Sequence, residues 1–213
     1  MTANAIETEG TKLEIGTGSG AAVTTVTAAV GFPTIITKAT HGLENGDVVA
    51  LSAFAGADAA TMNGKTVVIK NVTTNTLAID INTIGMTLTA ANGTLTPVEW
   101  TEVGEITDFD GPGGGVTVIP KTNLQSTAVE KMVGLIDEGQ YSFSINFYPD
   151  DTGQAACSAA KYAKTLNDFR LTYSDDTTQS FEGYVINLSA SGAVDGKVNG
   201  TLTIEVTGEV TQA

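Results

Sequence analysis

Residues 140–148 read QYSFSINFY, and no other stretch limits the fold of this chain as tightly. Tyr141, Phe143, Ile145 and Phe147 fall on one side of an extended chain, with Gln140, Ser142, Ser144, Asn146 and Tyr148 on the other. Strand side chains alternate with period two, so the pattern predicts a strand with one buried and one wetted face. A slip of one residue would expose four large apolar side chains and bury the polar set without partners. The facing is therefore fixed wherever the strand forms. Pro149-Asp150-Asp151 then stops the strand and offers a carboxylate cap to a helix. The stretch before it, 123–139, reads as a long mobile loop. Its Leu124, Val129, Met132 and Leu135 are too apolar for a loop that touches nothing, and they are candidates for an assembly contact.

The rest of the chain reads as β. Strand-like runs are expected at 12–15, 99–103, 105–109, 116–122, 169–174, 179–189 and 198–210. In the last, Leu202, Ile204 and Val206 alternate with Thr201, Thr203 and Glu205, a second polar face like the one on 140–148. One helix is expected over 151–166, where Ala155, Ala159, Tyr162, Ala163 and Leu166 recur at helical spacing. Residues 20–97 differ in texture. They hold four acids and three bases, for a net charge of −1 against −13 in the remainder, and no Trp or Tyr. Short β runs at 34–40, 48–53, 66–73, 76–81 and 86–94, with Asn45-Gly46 and Asn63-Gly64 as turn dipeptides, suggest a small β module inserted into the main domain. The glycine run 16–20 reads as a flexible joint at its entry. The expected fold is thus all-β with one flanking helix: a main β-sandwich built from 1–19 and 98–213, and an inserted module at 20–97.

Composition excludes more than it assigns. A net charge of −14 leaves no basic face for duplex DNA. One cysteine allows no intramolecular disulfide, and no apolar run approaches the length of a membrane span, so no membrane insertion is expected. The N-terminus lacks the pattern of an export signal. His41 is the single histidine and sits in Thr-His-Gly-Leu, a turn, so no catalytic triad is expected. Asp108-Phe-Asp110-Gly111 lacks the later ligands of a calcium loop and reads as an Asx turn. Asp137-Glu138, Asp150-Asp151 and Asp175-Asp176 sit at element boundaries and read as caps and turns. Cys157 lies in the Ala-rich helix and reads as a small buried apolar residue. No catalytic, cofactor-binding or metal-ligating set emerges, and the chain is not expected to be an enzyme.

Four segments in order carry a resemblance: GTKLEIG, EWTEVGEITDFDGPGG, VGLIDEGQYSFSINFYPDD and FEGYVINLSASGAVDGKVNGTLTIEVTGEV. Together they resemble the major tail tube proteins of long-tailed, non-contractile bacteriophages, over about 135 residues outside the insert. The segment THGLENGDVV with NGKTVVIKNVTTNTLAI is similar to a small β module that recurs in phage structural proteins. The resemblance implies a β-sandwich subunit, six to a ring, with rings stacked and inner sheets joined into one continuous β-barrel around a lumen. It would make Ser142, Ser144, Asn146, Thr201, Thr203 and Glu205 lumen-facing, and Leu124, Val129, Met132 and Leu135 part of a ring-stacking loop. The implied partners are further copies of the chain, a tape measure protein and a tail terminator. DNA would pass through without specific binding, since cationic walls would hold phosphate. The implied location is the virion after synthesis in the host cytoplasm, with the insert on the tube exterior.

Two other classes share some of these features. The tube of a contractile tail or of a secretion system would have the same fold, and a neighbouring sheath gene would mark it. A monomeric carbohydrate-binding β protein would need an exposed aromatic platform. The one tryptophan, Trp100, lies outside the insert, and aromatics are 6% of the chain.

Overall fold

The computed structural model describes residues 6–89 and 93–212. Twelve strands form one continuous sheet in the order β2-β3-β6-β5-β4-β7-β1-β12-β13-β14-β11-β8. These are β1 (Lys12–Ser19), β2 (Val23–Ala29), β3 (Thr34–Thr37), β4 (Val48–Ser52), β5 (Thr66–Lys70), β6 (Thr76–Ile79), β7 (Gly93–Val103), β8 (Ile106–Asp110), β11 (Gln140–Asn146), β12 (Asn167–Thr172), β13 (Thr178–Ser191) and β14 (Asn199–Gln212). A separate two-stranded ribbon pairs β9 (Gly115–Pro120) with β10 (Lys131–Asp137). One α-helix, α1 (Thr152–Ala163), completes the fold. The all-β class with one helix is as the sequence predicts.

An additional pairing of β2 with β7 closes β2-β3-β6-β5-β4-β7 into a six-strand barrel. Val26, Ile36, Val49, Met62, Ile69 and Leu95 are buried in its interior. The other strands, β7 through β8, curl over a second core that includes Leu13, Tyr141, Phe143, Phe169, Phe181 and Ile204. The two halves of that curled sheet meet through aromatic contacts: Tyr141 stacks on Phe181 at 4.6 Å, and Phe109 approaches Tyr173 at 6.2 Å. The buried residues thus form two clusters, both reached by β7. Leu95 belongs to the barrel core and Val103 to the other.

The glycine run 16–20 is not a flexible joint. β1 continues through it, with Ser19 opposite Val98 and the Gly20 amide donating to the Pro97 carbonyl at 2.8 Å. Gly16 is small because space demands it: a Cβ there would lie 2.8 Å from Val98 Cγ1. Crowding by the side chains of Val98 and Asp168, rather than chain freedom, explains the residue type. The long loop expected at 123–139 is also corrected. Residues 131–137 are the strand β10, paired with β9, and only the tip between them is a loop. Its β character was hidden by a register shift between Val133 and Ile136, which breaks the alternation. The strand expected at 86–94 is reduced to a bridge at Thr89 and the start of β7 at Gly93; residues 90–92 lie outside the described residues.

The helix starts where Asp151 caps it, accepting from the Gln154 amide at 2.8 Å. It ends three residues before the expected 166, because Lys164 adopts a left-handed conformation with φ 55°. Gln154 is 2% exposed and fastens the helix to the sheet. Its Nε2 donates to the carbonyls of Gly104 and Asn146, and its Oε1 accepts from the Tyr148 amide.

The facing of β11 gives a direct test. Phe143→Ala removes a fully buried ring and is expected to destabilise the protein by about 3–5 kcal/mol. Ser144→Ala, next to it on the wet face, is expected to change stability by less than about 0.5 kcal/mol. Urea unfolding of the unassembled protein measures both.

Candidate functional site

Strands β11 and β14 bring the polar residues of two sequence-distant segments into one strip. In their antiparallel register, Gln140 faces Glu205, Ser142 faces Thr203, Ser144 faces Thr201 and Asn146 faces Asn199. Residues directly opposite on an antiparallel pair share a face. Ser142, Ser144, Asn146, Thr201, Thr203 and Glu205 therefore lie on one surface, opposite the side that buries Tyr141, Phe143, Ile145, Leu202 and Ile204. Asn146 sits at the end of the strip and is tied down, its Nδ2 donating to Glu105 Oε2 at 2.7 Å.

The strip is wider and more acidic than the two alternating strands suggested. β8 lies against β11, placing Asp110 opposite Ser142 and Asp108 opposite Ser144. Asp108 and Asp110 are exposed strand residues, so the Asx-turn reading of 108–111 is corrected. A register shift on this pair, between Ser144 and Ile145, removes the strict alternation that would have marked β8 as a continuation of the face. On the other flank, β13 adds Asn187 opposite Thr203 and Ser189 opposite Thr201. A surface of hydroxyls, amides and carboxylates binds water well and offers phosphate no cation.

The second surface is the β9–β10 ribbon. Val118 and Val133 pair across it, as do Val116 and Ile136, and all four are exposed. Leu124 and Val129 at the tip, and Met132 and Leu135 on β10, are exposed as well. An isolated two-stranded ribbon is marginal in water, and a ribbon with apolar residues on show calls for a partner.

The other residues singled out by the sequence have local roles. His41 Nδ1 accepts from the Leu43 amide and its Nε2 donates to the Thr73 carbonyl, so both ring nitrogens hold a turn. Asp137 accepts from the Gly139 amide, and Asp175 accepts from the Thr177 amide and hydroxyl. The Thr177 hydroxyl, and then its amide, hold the Asp175 carboxyl below the usual range. Cys157 is fully buried, and burial followed by the Asp151 charge pushes its thiol up to about 12. Trp100 carries the Arg170 guanidinium 4.6 Å above its ring, and Arg170 is ion-paired with Glu14 at 2.7 Å. Among the described residues no group of three or more His, Cys, Asp or Glu is placed to hold a metal ion. No helix among them is long and apolar enough to cross a membrane.

A cleft of about 490 Å³ separates the barrel from the curled sheet, with Lys65, Lys70 and Asp80 on one wall and Asp168 and Glu182 on the other. Asp168 and Glu182 are direct cross-strand partners. Burial, and then the Glu182 charge, raise the Asp168 carboxyl to about 6. A carboxyl raised on folding favours the native state while protonated, and that stability is lost as pH rises through the folded value. Asp168→Asn is therefore expected to raise the melting temperature of the unassembled protein at about pH 7.5 and to leave it unchanged at about pH 3.5. Thermal scans at the two pH values check the sign.

The model of the family described as lambda phage tail tube protein, TTP, matches residues 83–213. The match spans β7 to β14 and the helix, and thus includes the whole polar strip and the ribbon. No curated protein matches the chain at a significant level. The matched segment is more than half of the 213 residues, and the chain belongs to the lambda phage tail tube protein family, a structural component of the phage virion that assembles into a tube.

Proposed function

We propose that this protein is the major tail tube subunit of a long-tailed phage with a non-contractile tail. Six copies close into a ring, rings stack into a tube, and the genome passes through the lumen during ejection. The observation that carries this reading is the strip on β8, β11, β14 and β13: four strands with a common polar, acidic face and a common buried face. Placed around a bore, that strip keeps the wall wet and repels phosphate, so DNA slides without being held. Edge strand β8 carries unpaired backbone groups on its outer side, and pairing with a neighbouring copy would satisfy them.

The same geometry supports an exterior location for the inserted module. Lys65 and Lys70 of the barrel share the cleft with Trp100 and Asp168, which lie on the outward face of β7 and β12. That half of the curled sheet packs across the core from β11 and β8, so the module sits behind the polar strip rather than in front of it. The exposed tip residues Leu124 and Val129 are suited to contacts between rings. A tape measure protein inside the lumen and a tail terminator at its end are the expected partners. The subunit is expected to be made in the host cytoplasm and to have no enzymatic role.

Negative-stain microscopy of the purified protein tests this reading, with rings or tubes of constant width and a stain-filled centre as the expected result. Particles that remain monomeric under every assembly condition would contradict it. Ser144→Lys combined with Glu205→Lys leaves the buried face untouched, so tails should still assemble. The added positive rings should attract phosphate with strong salt dependence, slowing genome ejection at low salt and restoring it at high salt. Ejection kinetics from virions carrying both substitutions measure the effect.

A further inference from the structure

The cleft between the barrel and the curled sheet has a floor that the polar strip does not explain. Residues on one face of neighbouring strands line up across it. Trp100 on β7 lies opposite Gly16 on β1, and Asp168 on β12 lies opposite Glu182 on β13. Gly16 joins the two pairs, since a Cβ there would lie 3.3 Å from the Asp168 Cβ. The facing of the row follows from its neighbours, because Ile15, Phe169 and Phe181 fill the core on the other side. Two carboxylates thus stand directly opposite each other on the floor of the cleft. Like charges in that position are unfavourable. Neither Asp168 nor Glu182 has an ion-pair partner among the described residues. Arg170, on the same face of β12, is committed to Glu14 at 2.7 Å.

A second observation points into the same place. Ser180 precedes Glu182 by two residues on β13, so its side chain shares that face, and it lines the cleft. It is 6% exposed, yet its Oγ has no hydrogen-bond partner among the described residues. A hydroxyl buried in this way costs stability, and a ligand in the cleft that engages its oxygen removes the cost. Hydroxyl and carboxylate oxygens are hard donors, which suit calcium or magnesium rather than zinc or copper. Among the described residues no thiol or imidazole lines the cleft. Its volume of about 490 Å³ leaves room for the water that completes an oxygen shell around calcium. Lys70 on the far wall is neutralised by Asp80 at 2.7 Å, so it does not oppose a cation.

We propose that Asp168 and Glu182, with the Ser180 hydroxyl, bind a calcium ion in this cleft, the remaining ligands being water. The site does not depend on the tube reading. Two carboxylates and a hydroxyl hold calcium weakly, with a Kd of about 0.1–1 mM. The competing occupant is the ammonium of Lys65, which lines the barrel wall of the cleft and has no ion pair among the described residues.

Thermal unfolding of the unassembled protein, in EGTA and in calcium chloride, tests the site. At about 10 mM, calcium is expected to raise Tm by about 3–6 °C over EGTA. Asp168→Asn and Glu182→Gln should each lose most of that shift while remaining at least as stable in EGTA. Ser180→Ala separates binding from packing. Removing an unpartnered hydroxyl should not lower Tm in EGTA, yet the calcium shift should shrink. Terbium gives a second readout. Trp100 lines the cleft and is the chain's single tryptophan, so exciting its indole should light terbium bound there. Calcium should compete that emission away, and Asp168→Asn should lack it. Equal calcium shifts in the parent and both carboxylate variants would mean screening of a chain of −14 only, and would overturn the site. So would the absence of a calcium shift in the parent, whatever the terbium result. If that absence comes with a lower Tm for Lys65→Met in EGTA, the lysine crosses the cleft as the native counter-ion and the calcium proposal falls.

Discussion

The aromatic packing inside the curled sheet decides which surface of this protein meets the outside. Tyr141 stacks on Phe181, Phe181 on Phe169, Tyr141 on Phe143, and Phe143 on Phe109, with ring centres 4.6–6.3 Å apart. Burying each such side chain contributes about 1.5–3 kcal/mol. Turning β11 over would lose that burial for Tyr141, Phe143 and Ile145 together. The serines, threonines and carboxylates on the reverse side of β8, β11 and β14 are therefore held outward by the core behind them. Their exposure needs no interaction of their own, which leaves their chemistry free to suit whatever passes in front of them.

How much of this was legible in the sequence varies with how regular each element is. β11 and β14 alternate strictly, so their facing, and the six polar residues they carry, could be read directly. The pairing that sets Ser142 against Thr203 and Ser144 against Thr201 joins segments about 60 residues apart, and no local signal encodes it. β8 and β10 were harder because each contains a register shift. The extra residue puts Ile106 and Phe109 three apart and hid the contribution of Asp108 and Asp110 to the strip. On β10 the same irregularity made a strand look like a loop. The glycines at 16–20 misled for another reason. Glycine serves both flexible chains and crowded ones, and only the neighbours of Gly16 distinguish the two.

The segment 20–97 follows its own logic. Its near-neutral charge and separate buried cluster suggest a unit with its own core, yet β7 belongs to both halves and ties them into one sheet. A shared strand fixes the barrel to the body more firmly than a linker would. The family match begins at Thr83, inside the barrel's last stretch, so β1 to β6 lie ahead of the matched segment. The segment carrying the strip and the ribbon is the one the family shares.

In the proposed tube, the face of Ser142, Ser144, Thr201, Thr203 and Glu205 lines a continuous bore. An electron cryomicroscopy reconstruction of the assembled tube, at a resolution that traces side chains, measures this directly. These residues are expected on the inner wall with Asp108 and Asp110 beside them, and the barrel at the outer radius. A reconstruction that places the strip at a contact between subunits, or on the outer surface, would contradict it.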